Sequence, residues 1–123
     1  MKSIRSAIPL LPLTLMLAAC APNANASDKL VGRWESPTWK FGSRPLVAQF
    51  STDGKVEYTS SNANIGRHNG TWTLLESGEL LIKSDTGREA RCKIALSGKT
   101  LTFQTAQCMD GWDGFTGESL TKQ

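Results

Sequence analysis

Side chains able to do chemistry are few in this sequence, and they are widely spaced. Its single histidine, His68, stands alone in "GRHNG", with no other metal ligand grouped around it. It is expected in a polar loop beside Arg67 and Asn69. Asp110 and Asp113 lie three apart in "CMDGWDGF". Two acids on a glycine-rich loop can contribute to a calcium site, but this spacing is far from the cage of an EF-hand, so both read as solvated turn acids. There is no Gly-x-Ser-x-Gly nucleophile turn and no phosphate-cradling glycine loop. The expectation is therefore a protein without catalytic residues, cofactor or metal. Aromatic side chains are the more promising signal. Met109, Trp112 and Phe115 alternate with Gly111, Gly114 and Gly117, where a regular strand is disfavoured. They must either fold back as a plug or stand exposed as a binding hot spot. A second group, Trp39, Lys40, Phe41 and Arg44 in "SPTWKFGSRP", has no clear alternation and reads as a loop. The candidate binding residues are thus Trp39, Phe41, Arg44, Trp112 and Phe115.

The three thiols are Cys20, Cys92 and Cys108. Cys20 ends an uncharged stretch, residues 7–20, preceded by Lys2 and Arg5. At about 14 residues, interrupted by Pro9 and Pro12, that stretch falls short of the roughly 20 needed to span a bilayer as a helix, but it suits an export leader. Leu17-Ala18-Ala19-Cys20 resembles the lipobox of bacterial lipoproteins at every position. The resemblance implies a diacylglycerol on the Cys20 thiol, cleavage just before it, and acylation of the new amino terminus. Several acyl chains at about 0.8 kcal/mol per buried CH₂ make a firm membrane anchor. Ala21 after the cysteine implies, by the same resemblance, a periplasm-facing place on the outer membrane. With Cys20 committed to lipid, the simplest fate of Cys92 and Cys108 in an exported domain is one disulfide. Closing a loop of about 15 residues adds about 3 kcal/mol in the chain-entropy picture.

Residues 1–19 therefore read as a lipoprotein signal peptide. Residues 20–28, small and polar around Pro22, read as a lipidated flexible tether, and residues 29–123 as the folded domain. Cleavage removes Lys2 and Arg5, so Lys+Arg falls from 14 to 12 against 11 Asp+Glu, and the formal charge of +3 falls to +1. No basic run is left to track a phosphate backbone, so nucleic acid is not an expected partner.

The elements that must hold these residues are short strands. Apolar residues alternate, and turn signals recur about every ten residues. "PLVAQF" and "VEY" flank Asp53-Gly54, a pair suited to the positive φ angles of a tight hairpin. Similar turns lie at Gly78 and within "SGK". Strands are expected near 29–36, 45–51, 55–60, 70–76, 79–84, 89–96 and 99–105. "GESLTKQ" can add an eighth that pairs with the first and closes the sheet. Trp34 and Trp72 point with the other inward residues. The fold class is all-β: a small antiparallel up-and-down barrel or sandwich of about 7–8 short strands with one disulfide. "LVGRWES", "FSTDGKV", "NGTWTL" and "LSGKTLTF" together resemble the lipocalin-like domain of many small bacterial lipoproteins, over most of residues 29–104. The chain lacks the helix that family carries after its last barrel strand. Eight strands leave room for side chains or one small ligand.

Two functions follow as expectations. One is a non-catalytic binding lipoprotein with a small apolar ligand at the barrel mouth. The other is a protein-binding lipoprotein: an inhibitor, an immunity protein or an accessory subunit of an envelope assembly.

Overall fold

A computed structural model describes residues 27–123. The expected leader, the lipidation site Cys20 and the tether up to residue 26 lie outside the described residues. Nine strands form one antiparallel sheet: β1 (Gly32–Phe41), β2 (Arg44–Phe50), β3 (Lys55–Thr59), β4 (Arg67–Leu74), β5 (Leu80–Ser84), β6 (Glu89–Cys92), β7 (Ile94–Ser97), β8 (Thr100–Phe103) and β9 (Ser119–Lys122). Their order across the sheet is β6-β5-β4-β3-β2-β1-β9-β8-β7.

The two outermost strands are one pass of chain. β6 pairs with β5, β7 pairs with β8, and only Lys93 separates them. The strand expected over 89–96 therefore divides at Lys93. Its first half completes one edge of the sheet and its second half the other, so the ring is nearly closed by the continuity of the chain. Lys93 itself leaves the ladder: its N–H bonds Thr105 Oγ1 at 2.8 Å, and its carbonyl accepts the Gln104 N–H at 2.9 Å. Elsewhere consecutive passes are neighbours, and the terminal strand β9 joins β1, as expected for an up-and-down barrel. The hairpin at Asp53-Gly54 forms, but of that pair only Gly54 takes a positive φ, 85°, and its N–H bonds the Ser51 carbonyl at 3.1 Å.

At its two ends β1 differs from the expectation. It begins at Gly32, because residues 27–30 form one turn of helix that takes up Ser27 and Asp28 from the expected tether. Leu30 is fully buried in that turn, and its carbonyl accepts the Trp34 indole N–H at 2.8 Å, which seals the lower end of the barrel. At the other end, "SPTWKFGSRP" is not a loop but the extended tip of the β1–β2 hairpin, with Lys40 opposite Pro45 and Phe41 opposite Arg44. Ser36 and Pro37 explain why alternation fails there. Pro37 has no N–H to give the ladder, and Ser36 Oγ accepts the Trp39 N–H at 2.8 Å, so the register shifts between Glu35 and Lys40.

The interior holds Trp34, Leu46, Phe50, Tyr58, Ile82 and Phe103 among others, each at most 2% exposed. Full burial of such a side chain contributes roughly 1.5–3 kcal/mol. These residues form the core inside the ring of eight passes.

Candidate functional site

The upper end of the barrel is built by residues 104–118, the connection from β8 to β9. The Cys92–Cys108 disulfide, with Cα atoms 5.7 Å apart, holds this loop against the closing strand. Met109, Trp112 and Phe115 are at most 2% exposed. Of the two arrangements open to them, the structure adopts the plug. The Trp112 ring meets Phe115 edge-on at 5.3 Å and Tyr58 at 6.2 Å, and its N–H donates to the Thr59 carbonyl at 2.8 Å. Trp39, half-buried on the hairpin tip, stands edge-on to Phe115 at 5.5 Å and donates its indole N–H to Glu118 Oε1 at 3.1 Å. Three of the five candidate residues, Trp39, Trp112 and Phe115, thus form one aromatic cluster that closes the mouth. Phe41 is half-buried against the same core. Arg44 is not with them.

Beneath the plug lies a polar network that the sequence reading did not foresee. Asp110 is no solvated turn acid: its Oδ2 accepts from Ser84 Oγ and Thr86 Oγ1, both at 2.7 Å, and its Oδ1 from Arg88 Nη1 at 3.1 Å. Burial alone would raise its pKa, but these hydrogen bonds and the Arg88 charge outweigh it and hold the carboxyl below its ordinary value. Tyr58 donates to Ser84 Oγ at 2.9 Å, and burial pushes its phenol pKa up. Arg88 also reaches the Gln107 carbonyl at 2.6 Å, clamping the loop at its one non-glycine residue of positive φ. Asp113, by contrast, is exposed.

His68 likewise departs from the expectation. It is buried on β4, not in a loop, with Nδ1 3.0 Å from Asp85 Oδ1. Asp85 is held below its ordinary pKa, chiefly by the Asn69 backbone N–H at 3.0 Å and also by His68. Ser84, Asp85 and His68 are neighbours, but they do not form a nucleophile and base. The short hydrogen bond of Ser84 Oγ runs to Asp110, and the imidazole faces a carboxylate. The network fastens the plug to β4, β5 and the 85–88 turn.

Arg44 belongs to a different feature, a groove of about 270 Å³ on the outside of β1–β4. Pairing of β2 with β3 stops at Ala48 and Tyr58. Beyond it Thr59 Oγ1 accepts the Val47 N–H and donates to the Pro45 carbonyl, each at 3.0 Å. A side chain replaces the ladder there, and it pairs the Val47 N–H and the Pro45 carbonyl where the backbones spread. Val47 and Thr59 lie on the floor, with Arg33, Arg44, Arg67 and Glu57 around it. Arg44 Nη1 bonds the Gly66 carbonyl at 3.3 Å, and Arg67 lies 3.8 Å from Glu57. Alternation puts Arg33 and Glu57 outward, but the register that gathers them with Arg67 is set across four strands and cannot be read along one.

A smaller, apolar recess of about 160 Å³ lies at the lower end, lined by Leu30, Leu74, Gly78, Ile94 and Leu96. Among the described residues no three of His, Cys, Asp and Glu are placed to hold a metal ion, and no helix is long and apolar enough to cross a membrane. Comparison of the chain with protein-family models, with curated proteins and with solved structures finds no match.

Proposed function

We propose that this protein is a non-catalytic, protein-binding lipoprotein of the bacterial envelope: an inhibitor, an immunity protein or an accessory subunit that meets its partner with the outside of its barrel. Cys20 carries the lipid in this reading, which places the domain on the periplasmic side of the outer membrane. The plug is the observation that carries the proposal. With Met109, Trp112 and Phe115 seated inside the mouth, a ligand there would have to displace three buried side chains. What the domain offers is its surface.

The apolar recess at the lower end favours a second reading, a carrier of a small apolar ligand. Its volume of about 160 Å³ is well under the roughly 300 Å³ at which small-molecule sites begin, so it suits only a short apolar group. Native mass spectrometry of the gently purified chain separates the two. The expected spectrum contains protein and its covalent lipid alone. A photo-crosslinking residue at Ser43 or Asn62, introduced in living cells, is expected to give one discrete protein adduct, and that partner should then co-elute with the purified chain. A stoichiometric non-covalent lipid or metabolite, with no adduct, would overturn the proposal in favour of the carrier.

A further inference from the structure

We infer that the groove over β1–β4 is the docking site for an acidic peptide segment of the partner, read through its carboxylates by Arg33, Arg44 and Arg67. The inference rests on the protein-binding reading above and adds where the contact is made and with what chemistry.

Charge is the first argument. Three guanidinium groups and one carboxylate line the groove, an excess of positive charge on a domain otherwise nearly balanced. Two of these arginines are lightly committed. Arg33 is 3.5 Å from Glu35 with 46% of its side chain exposed, and Arg67 is 3.8 Å from Glu57 with 67% exposed. Exposed pairs of that length contribute little, so a carboxylate with better geometry can replace them. Guanidinium groups bind carboxylates as two-pronged forks, and lysine cannot reproduce that geometry.

Shape and polarity make the second argument. A volume of about 270 Å³ suits one or two side chains of a peptide and not a drug-sized ligand. The floor of Val47 and Thr59 gives an apolar neighbour of the carboxylate something to cover. Thr59 already satisfies the Val47 N–H and the Pro45 carbonyl, so the groove cannot take an added strand and must recognise side chains. Beside Gly66, on the rim, stands Ile65, 54% exposed and the one large hydrophobic side chain so exposed among the described residues. Arginine is enriched at protein contacts, and Ile65 adds apolar area for a partner to cover beside the cluster. A nucleic acid fits less well, because the Glu57 carboxylate stands within the groove and would face its phosphates.

The test uses the full chain and an acetylated, amidated peptide of alternating glutamate and leucine, followed through the arginine Nε–H signals in NMR. The Arg44 and Arg67 signals are expected to shift saturably, with a Kd on the order of 0.1–1 mM for so short a probe. Binding should weaken severalfold between about 50 and 500 mM salt. The double variant Arg44→Gln, Arg67→Gln should lose at least tenfold, and Ile65→Ser severalfold. Arg91→Gln, on β6 away from the groove, should bind as the parent does. Should the double variant fail to fold, Arg33→Gln alone, which leaves the Arg44–Gly66 bond intact, serves as the second test and is expected to lose severalfold. The assignment is overturned if the glutamine counterpart binds equally well, if the glutamate peptide moves no arginine signal, or if pyrophosphate or oligothymidylate binds more tightly. A partner captured at Ser43 and held unchanged by the arginine variants would leave the protein-binding reading standing and remove the groove from it.

Discussion

Asp110 shows how one residue can look incidental in a sequence and still hold a structure together. It gathers Ser84, Thr86 and Arg88, which belong to β5 and the turn after it, onto the plug loop that carries Asp110 itself. The carboxyl is held below its ordinary pKa in the folded protein, so the unfolded chain takes up the proton first as the solution is acidified. Its stabilisation is fully present above the unfolded value of about 4 and is lost as the pH falls through the lower folded value. Asp85 is lowered as well and adds to the same acid slope. Asp110→Asn keeps the volume but offers an amide N–H₂ where donors already converge. Urea melts should show the variant about 1–3 kcal/mol less stable at pH 7, with the gap narrowing toward pH 3. Parallel stability curves for parent and variant over that range would show that the carboxylate charge does not hold the loop.

Among the elements, β4 is held closely against β5 at Gly70. This glycine pairs with Val56 on one side and Ser84 on the other, and a Cβ there would be driven into the Lys83 carbonyl oxygen. Main chain cannot yield as a flexible side chain can, so Gly70→Ala should cost about 1–3 kcal/mol, whereas Thr71→Ala on the exposed face should stay within about 0.5 kcal/mol. A Gly70→Ala protein that melts with the parent would show the β4–β5 contact to be looser than described. The close approach is invisible in "NGTWTL", where alternation alone marks the strand. The sequence is a good guide where the cause is local, as in Asp53-Gly54 for its hairpin and the inward Trp34 and Trp72. It also serves where a general rule stands in for the missing contact: a sheet avoids open edges, so the terminal strand meets β1, and two thiols left in an exported domain pair, as Cys92 and Cys108 do. It fails where the cause lies across the sheet. "RCKIAL" alternates straight through Lys93, and only the two different partners of β6 and β7 break it. Ser36-Pro37 hides the continuation of β1, because a side-chain hydrogen bond there imitates a loop. The Asp110 network joins residues up to 26 positions apart, and no spacing along the chain encodes that.

For the whole molecule, closure and filling meet at one covalent bond. Cys92 is the last residue of β6, beside Lys93 where the ring closes, and Cys108 opens the plug. The disulfide therefore constrains the seam of the barrel and the loop that occupies its mouth together. Reduction should remove about 3 kcal/mol, which for a domain of this size lowers Tm by roughly 10–20 °C. The order of loss is set by what remains. The seam keeps its β5–β6 and β7–β8 ladders, whereas the plug keeps the Asp110 network, its aromatic packing and single side-chain bonds such as that from Trp112 to the Thr59 carbonyl. Trp112, 1% exposed in the closed state, should become accessible to acrylamide before far-ultraviolet circular dichroism reports any loss of strands. A Trp112→Phe protein assigns that change in quenching to the plug and not to Trp39, which shares the cluster. If thiols shown by mass to be reduced leave both Tm and quenching unchanged, packing alone closes the mouth and the disulfide is incidental to it.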